Sequence, residues 1–206
     1  MFDVNWLYEK SRFNNFSDSL SQWSTFNYID GIKGHCAYNR IQGCRLESHP
    51  EKEGCQVLHL SYQPDASLVA DTRGAVWNFP AMKKGTFTAS LRIPEGSHSV
   101  SLLLNDRWMN PSDTVARYES MYELPLTRKQ LGGKDDRWHE VSLECDLSQK
   151  RPQARVRVDG RLRSLRLPLR NKSQNGISYV HFIAPPAEAD PGIYLEWVRA
   201  EADGTI

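Results

Sequence analysis

WHEVSLECDLSQKRPQARVRVDGR, residues Trp138 to Arg161, is the stretch whose reading decides the class of the chain. Val141, Leu143 and Cys145 alternate with Glu140, Ser142, Glu144 and Asp146. Six loop residues, Ser148 to Gln153, lead to a second run in which Arg155, Arg157 and Asp159 alternate with Ala154, Val156 and Val158. Successive side chains of a strand point to opposite faces, so a period of two gives each run one buried and one wet face. Asp159-Gly160 supplies the positive-φ pair that a tight type I′ turn requires, and a third run with Leu165, Leu167 and Leu169 follows. The stretch predicts an antiparallel meander.

The same pattern recurs outward from it. Asn14 to Trp23, rich in Asn, Ser and Asp, predicts an edge strand and its turn. QVLHLSY (Gln56 to Tyr62) alternates as a strand, and GAVWNF (Gly74 to Phe79) is expected to end at Pro80, which has no N–H to continue a ladder. GTFTASLRI (Gly85 to Ile93) places Phe87, Ala89, Leu91 and Ile93 inward, and after Pro94-Glu95-Gly96 the run Ser97 to Leu104 is expected to return as its hairpin partner. Arg107 to Glu119 carries no period and reads as a long loop, Met121 to Leu126 as a strand, and Thr127 to Arg137 as an exposed segment. Gly176 to Ala184 and Gly192 to Ala200 supply the closing strands. About ten to twelve strands with no helix exceed what one sheet tolerates. The expectation is one all-β domain over residues 1–206, a two-sheet antiparallel β-sandwich of jelly-roll type, with residues 1–12 as a linker or edge segment.

Composition excludes several classes. A hydrophobic fraction of 39% beside 25% charged residues is that of a globular domain, and no apolar run is long enough to predict a membrane span. MFDVNWLYEK lacks the basic and apolar regions of a signal peptide, which suits a cytosolic protein or a mature or excised domain. Cys36, Cys44, Cys55 and Cys145 show no zinc-binding spacing. The first three could pair in an oxidising compartment or be small buried hydrophobes, and Cys145 lies on the apolar phase of its strand.

A strand opening WH (Trp138-His139), a hairpin ending VDG (Val158 to Gly160) and a closing YLEWV (Tyr194 to Val198) together resemble the laminin-G-like, concanavalin-A-like jelly roll over Gly85 to Ala200. GAVWNFP (Gly74 to Pro80), NDRWMNPSDT (Asn105 to Thr114) and NGISYVHF (Asn175 to Phe182) resemble segments of the jelly-roll domain attached to sialidase-like, BNR-repeat propeller proteins of gut Bacteroidales. This resemblance implies a periplasmic or extracellular setting, glycan degradation, and an accessory role beside a catalytic domain. The chain has no propeller and no Asp-box repeat, so the hydrolase activity of such a partner is not expected in it. Jelly rolls of this kind commonly hold a structural calcium ion; Asp30, Asp71 or Asp106 could donate oxygens, although no D-x-D-x-D cluster occurs and no other cofactor is expected.

Retaining glycosidases of this architecture need two carboxyls about 5 Å apart, carried as E-x-D-x-E or E-x-D-x-x-E. Glu144-Cys145-Asp146 and Glu188-Ala189-Asp190 supply only the first half of that motif. Tyr179 and His181 read as a packed pair, and no G-x-S-x-G, phosphate loop or dinucleotide fingerprint occurs. Sugar binding asks for flat aromatic faces with polar groups reaching hydroxyls. Trp108 with Asn105, Asp106, Arg107, Asn110 and Asp113 meets that demand on a loop, and Trp77 and Asn78 could line the same concavity; both tryptophans could equally be core anchors.

Lys150 to Lys172 holds nine Lys or Arg against Asp159 alone, in a chain of net +1. Arg155, Arg157, Arg161 and Arg163 are expected to form an anion-binding surface for sulfated or uronic-acid polysaccharide, or to be a solvated face. Nucleic acid does not fit, because no aromatic residues are interleaved with the arginines. The expected function is a non-catalytic carbohydrate-binding or accessory module. The alternatives are a glycoside hydrolase or polysaccharide lyase with its site in the concave sheet, and a structural domain docking a catalytic propeller.

Overall fold

The computed structural model describes residues 9–27, 41–42, 44–61, 73–97, 100–111, 115–131, 136–184 and 190–203. Along the chain its elements are β1 (Ser11–Asn14), β2 (Trp23–Ser24), β3 (Phe26–Asn27), β4 (Ile41–Gln42), β5 (Arg45–Ser48), β6 (Gln56–Leu60), β7 (Arg73–Met82), β8 (Lys84–Arg92) and β9 (Ser101–Asn105). They continue with α1 (Ala116–Glu119), β10 (Tyr122–Pro125), α2 (Arg128–Leu131), β11 (Trp138–Asp146), β12 (Gln153–Val158), β13 (Arg161–Pro168), β14 (Ile177–Ala184) and β15 (Ile193–Ala202). An eight-stranded sheet runs β13-β12-β11-β8-β15-β6-β5, with β1 also paired to β15, and faces a five-stranded sheet ordered β10-β9-β14-β7-β2. β3 and β4 form a separate ribbon. Each pairing is antiparallel, so the fold is the all-β sandwich that the alternating runs predict.

The inward phases of the strands meet in one core. Phe87 of the large sheet packs against Phe79 and Phe182 of the small sheet, with ring centroids 5.9 and 6.5 Å away. The ring contacts continue from Phe79 to Trp77 at 5.7 Å, to Trp23 at 6.1 Å and to Phe16 at 5.4 Å. All six side chains are buried, and truncating a ring so placed costs roughly 3–5 kcal/mol.

The β12–β13 hairpin closes as expected, with Asp159 at φ 51° and Gly160 at φ 72°. Asp159 also ties its turn to β11. One carboxylate oxygen accepts from His139 Nδ1 at 2.9 Å and the other from the Glu140 N–H at 3.1 Å. Trp138-His139 and Val158-Asp159-Gly160 are therefore two halves of one clamp.

Three expectations require correction. Ser97 to Leu104 does not return beside β8: β9 pairs with β10 and β14 in the other sheet. Both edges of β8 are already taken by β11 and β15, so the chain crosses to the second layer. The strand at Gly74 does not stop at Pro80 but runs on to Met82. Pro80 falls inside a register shift between the Tyr179–Asn78 and Ile177–Met82 pairs, and a bulge is a place where a strand accommodates proline. Thr127 to Arg137 is not wholly exposed, because α2 buries Leu131 in the core.

The outer face of the small sheet is covered by residues 106–111 and 115–120. Met109 and Ala116 pack on the outward-facing Leu103 and Ile183. His181 Nε2 donates to the Pro111 carbonyl at 2.9 Å. Gly74 lies directly beneath, where a Cβ would collide with that carbonyl and stand 2.9 Å from His181 Nε2. Gly74→Ala is expected to lift this segment, lowering stability by about 2 kcal/mol and exposing residues 106–119 to limited proteolysis.

The Asp159 clamp gives a second expectation. Burial alone would raise the Asp159 carboxyl, but hydrogen bonds from His139 and the Glu140 amide outweigh it and hold the group below the usual carboxylate range. Its stabilisation is present above the unfolded-state value of about 4 and is lost as pH falls through the depressed folded value. Asp159→Asn tolerates the turn geometry but removes the charge; it is expected to cost about 1 kcal/mol at neutral pH, with the deficit closing below pH ~4 in urea melts.

Candidate functional site

The residues singled out around Trp108 divide between two environments. Trp77 is fully buried, because β7 turns Ala75, Trp77 and Phe79 inward, so it offers no ring to a ligand. Asn105 is also buried, and neither atom of its amide has a hydrogen-bond partner among the described residues. Asn78, Tyr179 and Asn105 share a row across β7, β14 and β9 on the outer face of the small sheet. Asn78 is engaged there by Arg12, which donates to its side-chain oxygen at 2.6 Å and its carbonyl at 2.9 Å.

Trp108, by contrast, is 52% exposed. Arg107 beside it pairs with Glu119 at 3.0 Å and approaches Asp106 at 3.5 Å. Asn110 is partly exposed, and Asp113 lies outside the described residues. Asp30 and Asp71 also lie outside them, and among the described residues no group of three or more His, Cys, Asp or Glu could hold a metal ion.

The arginine surface is split. Antiparallel partners share a face, and across the two-residue turn Val158 pairs with Arg161 while Arg157 pairs with Leu162. Arg155 and Arg157 therefore face outward, whereas Arg161 and Arg163 share the phase of Val158. Arg157 is ion-paired with Glu144, and Arg163 donates to the Leu131 carbonyl at 2.6 Å. The expected four-arginine patch does not form.

A different site emerges on the outer face of the large sheet. Its central strands carry short hydroxyl side chains there: Thr86, Thr88 and Ser90 on β8, and Ser142 on β11, with the Thr88 and Ser142 oxygens 3.1 Å apart. β15 borders this floor and contains a bulge: Leu195 pairs with Leu91 but Trp197 pairs with Ser90, which leaves Glu196 as the extra residue. A bulge breaks the alternation and can set neighbouring side chains on the same face. Ser90 accordingly donates to Glu196 at 2.7 Å from the outer side of the sheet, next to its partner Trp197.

The surroundings fix both side chains. Trp197 packs on Phe13 with centroids 6.0 Å apart, and the Arg199 guanidinium lies 5.5 Å from each ring. Residues 49–55 fold back over the face: His49 stacks on Trp138 at 4.9 Å, and Lys52 is ion-paired with Glu196. The Glu51 N–H donates to His49 Nδ1, so the neutral ring carries its proton on Nε2, 3.5 Å from Glu196. Burial alone would raise the Glu196 carboxyl, but hydrogen bonds from Lys52 and Ser90 hold it below the usual range.

At the far end the same face opens into a cavity of about 420 Å³, lined by Thr86, Glu144, Asp146, Gln149, Gln153 and Arg155 among others. Hydrogen bonds from the Ser148 hydroxyl and N–H hold Asp146 ionised. Asp146 and Glu196 are thus acceptors for hydroxyl groups rather than proton donors. Burial pushes the Cys145 and Cys44 thiols up to about 12, away from nucleophile chemistry, and Cys44, Cys55 and Cys145 are free.

Strict alternation hides the Glu196–Trp197 pair. One signal in the sequence marks it: the inward residues Ile193, Leu195, Val198 and Ala200 are separated by two, three and two positions, and the odd interval is an inserted residue.

No protein-family model matches the sequence, and no curated protein is similar to it. Solved structures are similar in shape. The laminarinase catalytic domain of Thermotoga maritima matches with 15% identity over 95% of this chain and 100% of that one, at a TM-score of 0.50. The K1 cleaved adhesin domain of Lys-gingipain from Porphyromonas gingivalis matches with 16% identity over 95% and 100%, at 0.49. The Emp47p carbohydrate recognition domain matches with 9% identity over 88% and 96%, at 0.43. Identities this low speak to fold alone. The chain is a two-sheet antiparallel β-sandwich of jelly-roll type.

Proposed function

We propose that this domain is a carbohydrate-binding accessory module of extracytoplasmic glycan degradation, with the glycan lying across the outer face of the large sheet. The observation that carries the reading is the bulge in β15, which sets an ionised carboxylate, Glu196, beside an indole, Trp197, above the buried hydroxyls of Thr88, Ser90 and Ser142 and near the partly exposed Thr86. An indole matches the apolar face of a sugar ring, and fixed acceptors and hydroxyls match its equatorial oxygens. A neutral ligand fits this face better than a polyanion, because three of its basic groups are held by carboxylates: Arg157 by Glu144, Lys52 by Glu196, and Arg92 by Asp136 at 2.8 and 3.0 Å. Arg155 at the cavity and Arg199 over Trp197 lie outside these pairs. A laminarinase catalytic domain uses the same fold, but fold does not assign chemistry. A periplasmic or extracellular location and a catalytic partner domain belong to the same proposal. Among the described residues no helix is long and apolar enough to cross a membrane.

A second reading is enzymatic, and one observation favours it: Glu144 and Asp146 stand on one strand face beside the cavity. Affinity electrophoresis in gels containing neutral glucans, mannans or xylans, with chondroitin sulfate as the anionic control, separates the two. Retardation is expected in at least one neutral gel, weakened about tenfold by Trp197→Ala, which is roughly 1.4 kcal/mol, with every glycan left intact. Preference for the sulfated polymer would exclude the neutral ligand class, and release of reducing ends or unsaturated uronates would replace binding with catalysis.

A further inference from the structure

The opposite side of the sandwich carries its own exposed aromatic surface. Tyr118 is 75% exposed and Trp108 52%, while most other aromatic rings of the described core are buried. The Arg107–Glu119 ion pair, at 3.0 Å, joins the chain positions adjoining the two rings. Such exposure on a mobile loop would mean little, but residues 106–111 and 116–120 are pinned at several points. Asn171 Nδ2 donates to the Tyr118 and Ser120 carbonyls at 2.8 and 2.9 Å. Ser178 donates to the Asp106 carbonyl at 3.3 Å, His181 holds Pro111, and Met109 and Ala116 are glued to Leu103 and Ile183. Two rings are thus presented to solvent on a preordered support, where binding has little loop entropy left to lose.

The geometry points to a second carbohydrate-binding surface, formed by Trp108 and Tyr118, the chain neighbours of the Arg107–Glu119 pair, and independent of the face that carries Glu196 and Trp197. A pyranose has apolar C–H faces for the rings and hydroxyls that can bond both members of the ion pair without breaking it. An apolar protein surface would have to bury that pair, which costs more than it returns. Two sites on opposite sheets make the module bivalent toward a polymer, holding one chain at two points or bridging two chains.

Isothermal titration with laminaripentaose, cellopentaose, mannopentaose and xylopentaose tests this, using the wild-type chain and the variants Trp108→Ala, Tyr118→Ala and Trp197→Ala. The altered side chains at 108 and 118 are exposed, so melting temperatures should not change. For at least one pentasaccharide, Trp108→Ala and Tyr118→Ala are expected to remove a binding event, or weaken it about tenfold, while Trp197→Ala leaves that event in place. If every bound pentasaccharide is indifferent to both variants, or if none binds, the second surface is refuted. Loss on Trp108→Ala with indifference to Trp197→Ala throughout would refute the large-sheet site alone. Conversion of an oligomer to a monomer by Trp108→Ala in sedimentation, with sugar binding unchanged, would make this surface a protein interface and overturn the proposal.

Discussion

The sandwich depends on Phe87. Its ring, from the central strand of the large sheet, inserts between Phe79 and Phe182 of the small one. Two twisted sheets can slide and rotate over a core of small aliphatic residues. A large ring lodged between two others has far fewer positions, so this contact fixes the relative placement of the layers. Everything on the outer faces inherits that placement, since a strand whose inward side chains are locked has its outward ones locked as well.

The hairpin from Trp138 to Arg161 shows how much of such a fold is legible in a sequence. Alternation, loop length and Asp159-Gly160 sufficed to place β11, β12 and β13, because all three signals are local. The partner of a strand is not local. Ser97 to Leu104 alternates as a hairpin return would, and only the occupancy of both β8 edges sends it to the other sheet. Parity across the tight turn was equally hidden: counting every second residue carries Arg155 and Arg157 on to Arg161 and Arg163, whereas the turn pairs Val158 with Arg161 and inverts the series.

The site was less legible than the fold, for a related reason. Trp77 and Trp108 each stand within two residues of an asparagine, Asn78 and Asn110, and which of the two is core depends on the strand phase that faces Phe79. The Glu196–Trp197 pair exists because a bulge breaks the rule by which the rest of β15 is read. Pro80, too, sits where the ladder slips. The irregular points of this chain escape pattern reading, and they are also where its side chains are aimed in ways a regular strand does not allow.

The arginines of β13 have a further consequence. β13 ends the large sheet, so among the described residues one side of its backbone has no strand beside it. Arg166 bends back to donate to the carbonyls of Arg163 and Leu165 at 2.6 and 3.1 Å, and the strand ends at Pro168. An open strand edge is a template on which another chain can add and begin a fibre, and positive charge beside it repels an identical edge. The basic stretch that looks like a landing surface for polyanions thus also lines a strand edge with positive charge, a placement that disfavours pairing of that edge with a copy of itself.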